Sequence, residues 1–297
     1  MENKYSNTNR LNVTYIASLA DYLLHVNLSS QIGLTRSQFI KYLSQSQFDF
    51  SIPGVCFVCN KKTNFNVKIP LVKNPSPKKI PINWREQVVC PICSLNNRSR
   101  ASLHIFEQEC MPSESAAIYI TEQTTRLYRH IKARYPNTIG SEFLNAATPF
   151  GTLNPNGIRN ENICDLTFES NSFDFILSFD VFEHVPNYQK GFEELYRCLK
   201  PGGVMLFSVP FISKNDTTLI RAKQDSDGNI THFLPPEYHG DPINQTGCLC
   251  FYHFGWDILK DLKSCLFEKA DALVYFSNHY GYLGNSDQIL FLARKSQ

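Results

Sequence analysis

From Pro112 onward, short apolar β-type runs alternate with stretches of helical periodicity, and this alternation restricts the fold more than any other feature of the sequence. A strand apolar on both faces needs cover on both, and a helix between successive strands supplies it, so the expected product is a doubly wound α/β domain. The predicted strands are Ala116–Thr121, Asn137–Phe143, Asn162–Asp165, Phe173–Phe179 and Val204–Pro210. Before the last of these, Phe192, Leu195, Tyr196 and Leu199 fall at i, i+3, i+4 and i+7, and Lys200-Pro201-Gly202-Gly203 stops that helix. Trp256, Leu259, Leu262 and Leu266 predict another helix, and Ala270–Phe276 and Gln288–Ala293 predict two strands that close the sheet as a hairpin. Ser213–Tyr252 has no clear period, and a loop that long inside a domain is seldom idle.

Two other textures precede this domain. Residues 1–50 are expected to be a helical segment, with Tyr15, Leu19, Tyr22 and Leu23 at helical spacing and a second helix near Gln38–Leu43. The apolar stretch from Leu11 to Leu28 is broken by Asn12, Asp21 and His25, which makes it a poor bilayer span and a poor signal sequence. Residues 51–110 carry short β-prone runs, and Pro70, Pro75, Pro77 and Pro81 surround a Lys-rich loop. The expected domains are therefore 1–50, 51–110 and 111–297.

Ten cysteines divide into two Cys-x-x-Cys pairs and six scattered residues. Cys56, Cys59, Cys90 and Cys93 can present four thiolates from two tight turns to one tetrahedral ion, and a structural zinc suits a loop-rich module with little core. An iron–sulfur cluster would use the same four ligands, and a redox Cys-x-x-Cys leaves the second pair unexplained. The six others read as small buried hydrophobes, a pattern that fits a reducing, cytoplasmic setting.

A nucleotide on a doubly wound sheet sits beyond the carboxyl ends of the strands, where an acid after the second strand grips the ribose hydroxyls. Glu142 takes that place, 20 residues after Glu122, and Asp165 ends the third predicted strand in the same way. The run Asp165-Leu-Thr-Phe-Glu-Ser-Asn-Ser-Phe-Asp174, then Phe-Ile-Leu-Ser-Phe-Asp-Val-Phe-Glu-His-Val185, then Leu199-Lys-Pro-Gly-Gly203 resembles the class I S-adenosylmethionine-dependent methyltransferases of the type 11 kind, over about residues 116–295. The resemblance implies a Rossmann-like sheet of seven strands with a reversed final hairpin, beside a small N-terminal helical and zinc-ribbon module. It also implies a cofactor, S-adenosyl-L-methionine, with Glu142 on the ribose, Asp165 on the adenine amino group, Leu166 beside the ring, and Phe179 and Asp180 at the methionine end. Where that family has a glycine-rich turn, this chain has Thr121-Glu122-Gln123-Thr124-Thr125, so Glu122 and its neighbours must hold the amino-acid end in another way.

Methyl transfer needs an aligned acceptor and, for a hydroxyl or amine, a base. His184 follows the fourth strand and can be that base, or can cap a helix or line the pocket. Tyr238, His239 and Asp241 are the acceptor-side candidates, with Tyr252 and His253 behind them. No Asn-Pro-Pro-Tyr motif is present, which argues against methylases that use it on exocyclic base amines. A net charge of +2 supplies no general pull toward nucleic acid, so a small-molecule or glycan-type acceptor is the leading expectation. The runner-up is an RNA methyltransferase gripping substrate through Lys61, Lys62, Lys68, Lys73, Lys78, Lys79, Arg98 and Arg100. The third is a zinc-bearing interaction protein without catalysis. No membrane partner is expected, and the motifs specify no oligomeric state.

Overall fold

The structure is a computed structural model that describes residues 10–69, 81–241, 243–244 and 246–297. Two compact units divide the chain: Met1–Tyr15, Leu23–Met111 and Val274–Ile289 form one, and Ile16–Tyr22, Pro112–Leu273 and Leu290–Gln297 the other.

The main sheet has seven strands. In spatial order these are β1 (Val13–Ile16), Lys269–Tyr275, Gln288–Arg294, β8 (Leu199–Ser208), β7 (Phe173–Phe179), β5 (Ile118–Ile120) and β6 (Thr138–Gly140). β6, β5, β7 and β8 run parallel, and Gln288–Arg294 is antiparallel to β8 with Arg294 opposite Val204. This is a Rossmann-like sheet whose strand Gln288–Arg294 runs antiparallel to its neighbour. Ile118, Ile120, Ile176, Leu177 and Val204 to Phe207 are buried along it. Helix α5 (Arg126–Arg134) connects β5 to β6, and α6 (Tyr188–Cys198) leads into β8. The Asn187 side chain accepts from Lys190 N at the start of α6, and Phe192 and Leu195 are its buried stripe. The helix ends at Cys198, and the Lys200–Gly203 run expected to stop it lies inside β8, where Gly202 takes φ 74° and a Cβ on Gly203 would lie 2.8 Å from the Lys200 carbonyl, so both positions need glycine.

Two expectations fail in this sheet. Asn162–Asp165 is no strand; it is a turn with one antiparallel bridge, and a lone parallel bridge between Glu142 and Asn160 stands where the third strand was expected. The cause lies in the asparagines before it. Asn160 accepts from Leu144 N and donates to the Asn145 and Thr148 carbonyls, while Asn154 accepts from Asn156 N and Ile158 N. These side chains satisfy the backbone and compete with a ladder. The seventh strand is instead Val13–Ile16, from a segment expected to be helical, where Val-Thr-Tyr-Ile is a β-branched and aromatic run. The helix starts later, at α1 (Leu19–Leu28), where Ser18 Oγ accepts from Asp21 N and donates to the Asp21 carboxylate.

The other unit holds α2 (Ser30–Leu43), a three-stranded ribbon of β2 (Phe50–Cys56), β3 (Lys61–Val67) and β4 (Val88–Val89), then α3 (Trp84–Gln87) and α4 (Asn97–Ile105). Phe65, Val67, Leu103, Ile105 and Tyr282 are buried in it. Arg100 is buried with them, its guanidinium 3.9 Å above the Phe65 ring and donating to the Tyr280 and Gly281 carbonyls. His104 stacks on Phe57 at 3.7 Å, and burial pushes its imidazole pKa down to about 3. Among the described residues no helix is long and apolar enough to cross a membrane.

Candidate functional site

The loop from Thr121 to Thr125 leaves the carboxyl end of β5 and enters α5, where Thr125 caps the helix by accepting from Tyr128 N. Without glycine of its own, this loop is accommodated by Gly140 at the end of β6. A Cβ there would lie 2.6 Å from the Glu122 carbonyl and 2.6 Å from the Tyr128 ring. Glu142 then closes on the loop. One carboxylate oxygen accepts from Gln123 N, Thr124 N and Thr124 Oγ1 at 2.7–2.8 Å, which leaves the other oxygen without a hydrogen bond among the described residues. Thr124 and Thr125 thus serve the protein's own backbone and carboxylate. Gln123 reaches across to Gly157 and Arg159, and Glu122 is half-buried.

Phe179 is buried at the end of β7, and Asp180 follows it with φ 55°, a left-handed conformation that costs a residue with a side chain. Ser208 at the end of β8 fixes it, donating from Oγ to the Asp180 carboxylate while its carbonyl accepts from Asp180 N. Asp165 and Leu166 are less well placed. Asp165 is exposed on the turn that Asn162 closes, and Leu166 is buried with its N–H donating to Glu194 of α6. The residue that follows the bridge beside Glu142 is Glu161, itself held by Arg159 and Thr167.

One turn beyond Asp180 the chain forms a short 3-10 helix, Phe182–His184, and the segment expected to be an irregular loop folds over it. Small antiparallel pairs organise that segment, among them Tyr238–His239 with Cys248–Leu249 and Leu219–Ile220 with Tyr252–His253. Gly247, at φ 79°, makes the first possible, since a Cβ there would strike the His239 carbonyl. The result places His239 beside His184, ring centroids 4.9 Å apart. Glu183 lies between them, fully buried. Its Oε1 is 3.6 Å from His184 Nε2 and 3.6 Å from His239 Nδ1, and neither of its oxygens accepts a hydrogen bond. Burial raises the Glu183 carboxyl pKa, which the His239 ring partly offsets. Cys250, then Glu183 and Glu237, raise the His239 imidazole to about 11.

The outer nitrogens of both rings are engaged. His184 Nδ1 donates to the Leu249 carbonyl at 2.8 Å, and His239 Nε2 meets the Glu237 carboxylate at 3.0 Å. Glu237 also takes His253 Nε2 at 3.1 Å and Arg221 at 3.1 Å. Sequence reasoning singled out His184 and His239 and missed Glu183 and Glu237. Glu183 stood inside the quoted Glu-His-Val run, but nothing in a lone sequence marks a carboxylate as buried.

The four cysteines of the paired motifs also converge. Each pair sits on a knuckle closed by a left-handed residue, Asn60 after Cys59 and Ser94 after Cys93. The Cys56 and Cys93 sulfurs are 3.8 Å apart and those of Cys59 and Cys90 3.9 Å. Four thiolates at ~2.3 Å from one tetrahedral ion have edges of ~3.8 Å, so the spacing fits a single ion. The hydrogen bond between the Cys93 and Cys56 sulfurs lowers the Cys56 thiol pKa to about 5. Of the basic residues assigned to RNA, Arg98 is paired with Glu86 and Arg100 is buried, which corrects that part of the expectation. Lys61, Lys62 and Lys68 are exposed, while Lys73, Lys78 and Lys79 lie outside the described residues.

Residues 122–207, from the loop after β5 to the end of β8, match the family described as "Methyltransferase domain". A phosphoethanolamine N-methyltransferase 2 of Caenorhabditis elegans is 45% identical over 42 residues, 14% of this chain and 10% of that one. A protein of Mycolicibacterium smegmatis described as "Probable S-adenosylmethionine-dependent methyltransferase" is 31% identical over 81 residues, 27% of this chain and 24% of that one. The chain therefore matches a quarter or less of the length of these curated relatives. Among solved structures, an S-adenosylmethionine dependent methyltransferase from Mesorhizobium loti is similar over 63% of this chain and 95% of that one, with a TM-score of 0.39 and 16% identity.

Proposed function

We propose that this chain, whose residues 122–207 carry a methyltransferase domain, transfers a methyl group from S-adenosylmethionine to a small-molecule or glycan-type acceptor. The observation that carries the reading is the convergence, at the carboxyl ends of adjacent parallel strands, of an acid beside the first loop, a strained Asp180 and a histidine pair. Glu142 retains one carboxylate oxygen for the ribose hydroxyls while its other oxygen holds the loop. That open acceptor at the nucleotide end of a doubly wound sheet fits the cofactor. Glu122 is assigned to the ammonium of the amino-acid end, and Phe179 and Asp180 to the methionine chain. Asp165, on an exposed turn, and the buried Leu166 are assigned to the adenine. When bound, the cofactor supplies an electrophilic methyl on a sulfonium, and the chain has only to position the acceptor and manage its proton. His184 and His239 are the residues assigned to that purpose.

The four cysteines would hold a structural zinc, and ten free cysteines suit a cytoplasmic setting. Pairing of Arg98 and burial of Arg100 weaken the case for RNA as acceptor, although Lys61, Lys62 and Lys68 keep it open to test. Calorimetric titration with S-adenosylhomocysteine tests the reading. Saturable binding at one site per chain is expected, and no heat at millimolar ligand would sink both enzyme readings and favour the interaction protein.

A further inference from the structure

Glu183 is the anomaly of this site. A buried carboxylate is stable when it accepts hydrogen bonds or meets a compensating charge, and this one, at 0% exposure, accepts none. Its nearest polar neighbours are two ring nitrogens at 3.6 Å, beyond the length of a charge-assisted hydrogen bond. A proton on either nitrogen would bring a compensating charge, but at this distance it gives the carboxylate no short hydrogen bond. The spacing suits a different occupant, because two ligands each ~2.1 Å from one tetrahedral ion lie ~3.4 Å apart.

The outer shell fits the same occupant. Histidines that bind metal commonly donate their other ring N–H to a carbonyl or carboxylate, which fixes the tautomer and aims the remaining lone pair. His184 does so to the Leu249 carbonyl and His239 to Glu237, so both rings present their inner nitrogens to Glu183. The three ligand atoms lie within 4.8 Å of one another. Glu237, His239 and Cys250 form a competing set, but Glu237 is already committed to Arg221, His253 and His239, and the Cys250 thiol donates to the Tyr252 carbonyl.

We propose that Glu183 Oε1, His184 Nε2 and His239 Nδ1 bind a divalent first-row metal ion whose open positions take a hydroxyl oxygen of the methyl acceptor. Two imidazoles and one carboxylate suit this class of cation, and three protein ligands leave coordination free for substrate. The second half rests on the methyl-transfer reading and deepens it, replacing an imidazole base by a bound cation. It also selects oxygen over nitrogen as the methylated atom. A metal-bound amine has committed its one lone pair, whereas a metal-bound oxygen keeps another with which to attack. The ion acidifies the hydroxyl, whose proton leaves to water. The oxygen then forms a bond to the methyl carbon, the carbon–sulfur bond breaks, and its electron pair stays on the sulfur as a neutral thioether.

The test is a titration of the full-length, zinc-loaded protein with Mn2+ followed by electron paramagnetic resonance, since Mn2+ prefers oxygen and nitrogen donors and leaves the thiolate site alone. One Mn2+ per chain is expected, weakened at least ~10-fold by Glu183→Gln, which keeps the shape, and by His239→Gln in the covering segment. No Mn2+ bound by the wild type at millimolar concentration, or equal affinity in both variants, overturns the site. S-adenosylhomocysteine titrations of the same samples separate the two readings. Cation binding without S-adenosylhomocysteine binding keeps the ion and removes the methyl-transfer role, whereas the reverse removes the ion alone.

Discussion

Glu142 is asked to do two things at once. One of its oxygens gathers three donors from the loop after β5, and the other is the one proposed for the ribose. The two roles separate by substitution. Glu142→Gln keeps a carbonyl oxygen for the loop and removes the charge that a ribose hydroxyl would meet, so S-adenosylhomocysteine affinity should fall ~10-fold with little loss of stability. Glu142→Ala releases the loop as well, and should cost a further ~1–3 kcal/mol of unfolding free energy in urea titration. If the Gln variant binds like wild type while the Ala variant does not, Glu142 only positions the loop. The carboxylate was legible in the sequence because the distance from Glu122 placed it. Its grip on Gln123 and Thr124 was not, since that contact depends on where two loops from separate strands come to rest.

At the scale of elements, strands and helices with a strong period were readable. β7 has the expected bounds, and α6 follows the apolar spacing through Leu195 but ends at Cys198, so Leu199 and the Lys-Pro-Gly-Gly run begin β8. The third strand was lost because asparagine side chains captured the backbone, a competition that hydrophobic spacing does not register. β1 was hidden for the converse reason, since Val13 to Ile16 is short and merges into the period of α1. The segment over the histidines had no period at all, because its strands are two or three residues long and held mainly by cross-links such as His184 to Leu249. One element-level substitute for the missing glycine turn is Gly140, on the strand beside the loop. Gly140→Ala would push a methyl into the Glu122 carbonyl and the Tyr128 ring, at an expected cost of ~1–3 kcal/mol. Because the displaced backbone carries Gln123 and Thr124, S-adenosylhomocysteine binding should weaken alongside stability. A variant as stable and as tight-binding as wild type would show that this loop moves freely and that Gly140 has no such role.

At the scale of the whole molecule, each unit has a core of its own, and the two depend on different forces. The unit with Ile118, Ile176, Leu206 and Phe207 is built on a buried parallel sheet. The unit with the ribbon has a smaller core around Phe65 and Leu103, together with a buried Arg100 that needs the Phe65 ring and the Tyr280 and Gly281 carbonyls in place. Cys56 ends β2 and Cys90 follows β4, so a zinc ion would tie the two ends of the ribbon through four thiolates. Binding free energy at such a site is folding free energy, and its removal should cost that unit several kcal/mol. Hydrogen exchange after treatment with a strong chelator resolves the effect by segment. Amides of β2 and β3 should exchange much faster than in the zinc-loaded protein, and those of β7 and β8 should keep their protection. Cys90→Ser should reproduce the pattern without chelator, because three thiolates hold the ion far less tightly than four. Uniform loss of protection across both units would mean that the metal stabilises the chain as one cooperative block, and unchanged exchange in β2 and β3 would mean that no ion supports the ribbon.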